Sequence, residues 1–87
     1  MKQFKVFSAE YDHNIDQIMT ANDLNHVIFI VKKIAGFAYV NILTLEQSNK
    51  NGLEDNKVYA ITDNNSVIFS ETYDGYEHLT IRINEVN

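Results

Sequence analysis

The feature that most constrains the fold is the alternation of apolar and polar residues in the last third of the chain. Asp74-Gly75 interrupts this alternation, and both residues accept the positive φ angles of a type I′ turn, so they predict a tight β-hairpin. A strand-like segment at residues 58–62 and a turn at residues 63–65 precede it. We therefore predict a three-stranded antiparallel meander with one buried face and one wet face. One side of the alternation holds Val67, Phe69, Leu79, Ile81 and Ile83, and the other holds Ser70, Thr72, Thr80, Arg82 and Asn84.

The first part of the chain predicts a strand followed by a short helix. Residues 3–11 are rich in aromatic and β-branched side chains, which is typical of a strand. Asp12 or Asn14 is expected to cap a helix. The apolar positions of this helix, at spacings i, i+3 and i+4, are Ile15, Ile18 and Met19.

The middle of the chain supports two interpretations. A helical stripe runs through Leu24, Val27, Ile28, Val31, Ile34, Ala35 and Ala38. However, residues 26–31 are dense in β-branched and aromatic side chains, which favour sheets. We favour two strands with a turn at residues 32–36 and the second strand at residues 37–45, and the alternative is a helix followed by a strand. Residues 46–57 are polar, contain Gly52 and predict a loop.

Length and composition predict one small α+β domain spanning residues 1–87. Its architecture is expected to be a mostly antiparallel sheet of five or six strands, with the C-terminal meander and one short helix packed on a face. The 87 residues include no cysteine, so the fold owes nothing to disulfides, and a thiolate zinc site is excluded. The longest apolar run, residues 27–31, is too short to cross a bilayer. We expect a cytoplasmic protein that does not engage a membrane.

The charge balance points to basic partners. Twelve acidic against seven basic residues give a formal charge of −5. This charge opposes unassisted binding to nucleic acid and favours encounters with basic surfaces, such as the nucleic-acid-binding face of another protein. The residues that could still contact nucleic acid, as a small basic patch, are Lys2, Lys5, Lys32 and Lys33.

Motifs for catalysis or for metal binding are lacking. The serines have no nucleophile elbow, and three scattered glycines cannot form a phosphate-cradling loop. A calcium-loop pattern starts at Asp12 and runs to Asp23, but Gln17 replaces its turn glycine and a strand precedes it, so helix capping explains these residues better. His13, His26 and His78 show no metal-ligand spacing. We expect no enzyme activity, no metal and no cofactor.

The most suggestive segment surrounds the predicted hairpin turn. Tyr73 and Tyr76 flank the two turn residues and should form a cross-strand pair. Tyrosine is also enriched at protein interfaces, because it buries a large rigid ring and keeps a polar end. The candidate partner-binding residues are Glu71, Tyr73, Asp74, Tyr76 and Glu77.

These observations predict a small acidic binding protein. Its size, acidity and Asn/Lys/Ile-rich composition resemble in character the antitoxins and host-takeover inhibitors of phages and mobile elements, although no motif assigns a family. We expect an inhibitor that docks by charge and sheet edge onto a basic nucleic-acid-handling protein such as a nuclease or toxin. The alternatives are a nucleic-acid-associated module, with RNA as one ligand, and a self-assembling subunit that forms homodimers by strand pairing.

Overall fold

The computed structural model of this chain describes residues 1–9 and 14–86, except for the side chains of Glu77, Leu79 and Thr80. It has an α+β fold. In chain order its elements are β1 (Lys2–Ser8), β2 (Ile15–Ala21), α1 (Leu24–Ala35), β3 (Asn41–Thr44), α2 (Leu45–Asn51), β4 (Lys57–Asp63), β5 (Ser66–Tyr73) and β6 (Tyr76–Val86). The expected continuation of the first strand to Tyr11, the cap at Asp12 and His13 lie outside the described residues.

The strands form one six-stranded sheet in the order β2-β1-β6-β5-β4-β3. All neighbours pair antiparallel except β3 and β4, which are parallel. The predicted meander is confirmed as β4, β5 and β6, which form half of this larger sheet. Because β1 pairs with β6, the first and last strands of the chain lie side by side.

One face of the sheet, called here the α1 face, holds the main core. Strand alternation directs Phe4, Val6, Phe69, Ile81 and Ile83 to this face, where α1 covers them. The buried residues of the helix are Val27, Ile28 and Val31. Two of the three expected buried positions on the last strand, Ile81 and Ile83, are thus confirmed, and the side chain of Leu79 lies outside the description.

The prediction of two strands across residues 24–36 is wrong, because this segment contains α1. Asp23 caps the helix by accepting a hydrogen bond from the His26 N–H at 2.9 Å. Gly36 ends it in the left-handed conformation, with a φ of 77°. Burial of the apolar stripe outweighs the β preference of its Val, Ile and Phe residues. The predicted second strand, residues 37–45, is reduced to Asn41–Thr44.

The prediction of a short helix after Asn14 is also wrong, because residues 15–21 form β2. Ile15 and Met19 face the α1 core, whereas Ile18 faces the other side, as a period of two residues requires. Pairing with β1 satisfies half of the backbone groups of this strand, and its two ends bury Ile15 and Ala21.

The opposite face of the sheet, called here the α2 face, is not uniformly wet as predicted. Its covering helix, α2, begins at the last residue of the predicted second strand and occupies the first half of the segment predicted to be a loop, so the described residues form two helices and not one. Thr44 and Gln47 form a capping box at its start. Ser70 and Thr72, expected in solvent, are buried, because the segment that follows α2 lies against this part of the sheet. Neither helix is long and apolar enough to cross a membrane, within the described residues.

We expect Ile81→Ala to lower the free energy of unfolding by about 2–4 kcal/mol, because Ile81 is 1% exposed and its truncation leaves a cavity. Urea denaturation followed by circular dichroism measures this change. The matched control is Ile42→Ala in β3, where the side chain is 51% exposed and the expected loss is below about 0.5 kcal/mol. Equal losses in the two variants would contradict the assigned register.

Candidate interaction surface at the β5–β6 hairpin tip

The turn between β5 and β6 has the predicted type I′ character. Asp74 and Gly75 have φ angles of 54° and 77°. Only glycine and a few polar residues such as Asp adopt this left-handed region readily, so the local sequence selects the turn. The register places Tyr73 directly opposite Tyr76, which confirms the expected cross-strand pair.

Both tyrosines of this pair face solvent. Tyr73 is 44% and Tyr76 is 72% exposed, on the α1 face but beyond the end of the core. The ring of Tyr73 stacks on His78, with a centroid distance of 4.1 Å and an interplanar angle of 7°. His78 is the direct partner of Glu71 in the sheet. We call Glu71, Tyr73, Asp74, Tyr76 and His78 together the tip surface.

The segment between α2 and β4 holds the hairpin tip in place. The Asp55 carboxylate accepts a hydrogen bond from the Gly75 N–H at 3.3 Å. The Thr72 hydroxyl donates to the carbonyl of Glu54, whose N–H in turn donates to the Tyr59 hydroxyl at 3.0 Å. The tip is therefore supported by contacts from a segment about twenty residues away in the chain.

Acidic side chains predominate around the tip. Glu54, Asp55, Glu71 and Asp74 lie there together with one base, Lys57, which forms an ion pair with Glu54 at 2.5 Å. The hydrogen bond and charge of Lys57 hold the pKa of Glu54 below its ordinary value, and the same contact raises the pKa of Lys57. Glu77 belongs to the predicted set, and its side chain lies outside the description.

A groove of about 490 Å³ lies behind the tip, on the α2 face. Leu45 and Leu53 form one wall, and Ile61 and Ile68 of the sheet form the floor. Gly75 lines its end, so the groove and the turn are continuous.

The four lysines of the predicted nucleic-acid patch do not lie together. Lys2 and Lys5 differ by an odd number of residues in β1 and face opposite sides of the sheet. Lys2 pairs with Glu85 at 3.6 Å, and Lys5 pairs with Asp16. Lys32 and Lys33 occupy the last turn of α1, about 12–14 Å along the helix from its start near Lys2.

The residues of the calcium-loop pattern are also dispersed. Asp16 and Thr20 lie on β2 at positions that face away from α1, whereas Asp23 caps α1. Within residues 1–9 and 14–86, no group of three or more His, Cys, Asp or Glu side chains is placed to hold a metal ion.

Asp55 and His78 belong to the site although the sequence did not single them out. Asp55 lies in a polar segment whose packing against Gly75 has no local signal. His78 is separated from Tyr73 by five positions, and only the two-residue turn brings their rings together on one face. The hairpin signal at Asp74-Gly75 was enough to find this second contact.

No protein-family model, no curated protein and no solved structure matches this chain.

We expect the two tyrosines of the tip to contribute little to folding. Tyr76→Ala should change the free energy of unfolding by less than about 0.5 kcal/mol, because its ring is mostly exposed. Tyr73→Ala should cost about 0.5–1.5 kcal/mol, because it loses the stack on His78. Urea titrations of both variants and of His78→Ala test this, and a loss above 2 kcal/mol for Tyr76→Ala would show that its ring is buried.

The Glu54–Lys57 pair predicts a specific pH response. The pKa of Glu54 is lowered in the folded chain, so its contribution to stability is present above the ordinary value of 4.5 and is lost as the pH falls through the lowered value. Carboxyl NMR titration should give a midpoint below 4.5 that rises in Lys57→Gln. An unchanged midpoint in that variant would contradict the assigned cause.

Proposed function

We propose that this protein is a small acidic non-enzymatic binding protein, and that it inhibits a basic nucleic-acid-handling partner by docking its tip surface onto it. The observation that carries this proposal is a pair of solvent-facing tyrosines on a supported hairpin, surrounded by carboxylates.

The tyrosines supply the anchoring contacts. Tyr73 and Tyr76 lie side by side on one face, and the His78 stack already restricts the Tyr73 ring. A restricted aromatic ring loses little conformational entropy when it binds, and Tyr is among the residues that dominate interface energetics. Rings of this kind also accept cations over their faces, which suits Arg and Lys on a basic partner.

The carboxylates supply charge complementarity. Four acids lie around the tip. The base Lys57 lies there too, but it already forms an ion pair with Glu54. Carboxylates form charge-assisted hydrogen bonds with guanidinium and ammonium groups, and clustered acids accelerate the encounter with a basic surface. A surface that binds nucleic acid displays the cations that such an acidic tip recognises.

The support of the tip favours tight binding. Asp55 and Glu54 fix the hairpin through hydrogen bonds to Gly75 and Thr72. A preorganised loop avoids part of the ordering cost that association otherwise carries. Occupation of the partner's nucleic-acid groove by this tip would block its substrate, which is the basis of the inhibitory role.

Since the cysteine-free chain suits a reducing compartment, we propose the cytoplasm as the place of action.

The decisive experiment is a pull-down from the native cytoplasm with and without nuclease treatment, followed by affinity measurement on the purified partner. We expect a basic protein that is retained after nuclease treatment, and an association rate that falls as salt rises. Of the two variants Tyr73→Ala and Tyr76→Ala, one should weaken the binding free energy by about 2 kcal/mol. Glu71→Lys and Glu77→Lys should slow association.

Two matched controls distinguish a specific role of the tip from general effects of reversing a surface charge or removing an exposed ring. Asp63→Lys makes the same charge reversal at the opposite end of β4, and Phe29→Ala removes an exposed ring on α1. Both variants should bind as the wild type does. Wild-type affinity in all four variants, Tyr73→Ala, Tyr76→Ala, Glu71→Lys and Glu77→Lys, would contradict the proposal. Retention of the partner only through nucleic acid would contradict it as well.

A further inference from the structure

The β2 strand forms an open edge of the sheet. It is seven residues long and pairs only with β1 among the described strands. Every second residue of such an edge directs its N–H and C=O groups away from the sheet. Several usual protections against edge pairing are missing from β2, because it holds no proline and no lysine and its pairing with β1 is regular, and its one charged residue, Asp16, forms an ion pair with Lys5.

We propose that β2 pairs antiparallel with β2 of a second copy of this chain, about a two-fold axis at Ile18, to form a homodimer with a continuous twelve-stranded sheet. A two-fold axis perpendicular to the sheet pairs each residue with one on the same face, as an isologous interface requires.

The side chains of β2 are self-complementary in this register. Ile18, which is 57% exposed, lies opposite its own copy, so two apolar side chains cover each other. Gln17 lies opposite Met19 of the second copy, and Asp16 lies opposite Thr20, which can donate a hydrogen bond. A shift by two residues toward the N-terminus would place Asp16 opposite Asp16, where like charges repel.

The electrostatics of this edge also permit self-association. The chain carries a net charge of −5, and four of its twelve acids lie around the tip. On β2 the single acid, Asp16, is neutralised by Lys5 of β1. The edge therefore approaches its copy without the repulsion that other parts of this acidic surface would produce.

The opposite edge of the sheet does not offer the same surface. Strand β3 has four residues and continues directly into α2, and a short edge of this kind pairs poorly. The tip surfaces lie on the turn between β5 and β6, so pairing through β2 leaves both of them exposed.

Analytical ultracentrifugation of the full chain over a wide concentration range tests the dimer. We expect a species of twice the 10.0 kDa chain mass that becomes monomeric in Ile18→Lys. The matched control, Ile42→Lys, adds the same charge at an exposed isoleucine of the β3 edge and should remain dimeric. A single 10.0 kDa species at every concentration, or dissociation by Ile42→Lys alone, would overturn the proposal.

Two variants that place opposite charges at position 20, Thr20→Glu and Thr20→Lys, test the register. Thr20→Glu faces Asp16 of the second copy and should weaken dimerisation roughly 2- to 30-fold relative to Thr20→Lys, because each dimer contains two such pairs. Equal dissociation constants for the two variants would overturn the pairing of positions 16 and 20.

Because the chain has no cysteine, a single engineered thiol reports the axis directly. Directly opposite residues have Cα atoms about 4.5–5.5 Å apart, within the range of a disulfide. Ile18→Cys should therefore crosslink rapidly under mild oxidation. Thr20→Cys should not, because its copy lies about 13 Å away along the strand. Equal crosslinking at both positions indicates another arrangement and overturns this one.

Discussion

The antiparallel pairing of β1 with β6 is the contact on which the rest of the architecture depends. It joins the N-terminal hairpin to the C-terminal meander and places β2 at one edge and β3 at the other. The chain that leaves β2 at one edge must then cross the width of the sheet to reach β3 at the other edge. Helix α1 makes this crossing on one face. The crossing also buries the helix stripe against Phe4, Val6 and Phe69, so one connection provides both the topology and the main core.

The two faces of the sheet differ because their covers differ in length. Helix α1, with twelve residues, covers the α1 face, whereas α2, with seven, lies on the part of the other face that β3 and β4 form. The segment after α2 buries Ser70 and Thr72 and fixes the hairpin tip through Asp55. Around β1 and β2 the same face stays open, with Phe7 and Ile18 exposed. The supported tip and the exposed side chains near the β2 edge therefore both follow from this partial cover.

Charge is distributed to match these two surfaces. The described part of the tip carries four acids and Lys57, which would suit the proposed basic partner, whereas Lys5 compensates Asp16 at the β2 edge, which would suit the proposed second copy. A dimer formed through β2 would carry two tips, one on each subunit and away from the shared edge. Two tips that reach two sites on one partner, or on a dimeric partner, would bind more tightly than one because the second contact becomes intramolecular.

The sequence by itself determined the structures that depend on neighbours in the chain. The partial alternation after residue 65 and the positive φ preferences of Asp74 and Gly75 predicted the meander, its turn and the Tyr73–Tyr76 pair, although a register shift between Phe69 and Ser70 interrupts the alternation in the structure. The capping box of Thr44 and Gln47 is likewise a local pattern of the sequence. Only the tertiary structure decided that residues 15–21 form a strand despite their helical spacing, and that residues 24–35, which fit both patterns, form a helix, because distant burial selected between the two. The contact of Asp55 with Gly75 was likewise set by the fold, since it joins residues whose approach depends on how the chain returns to the same sheet.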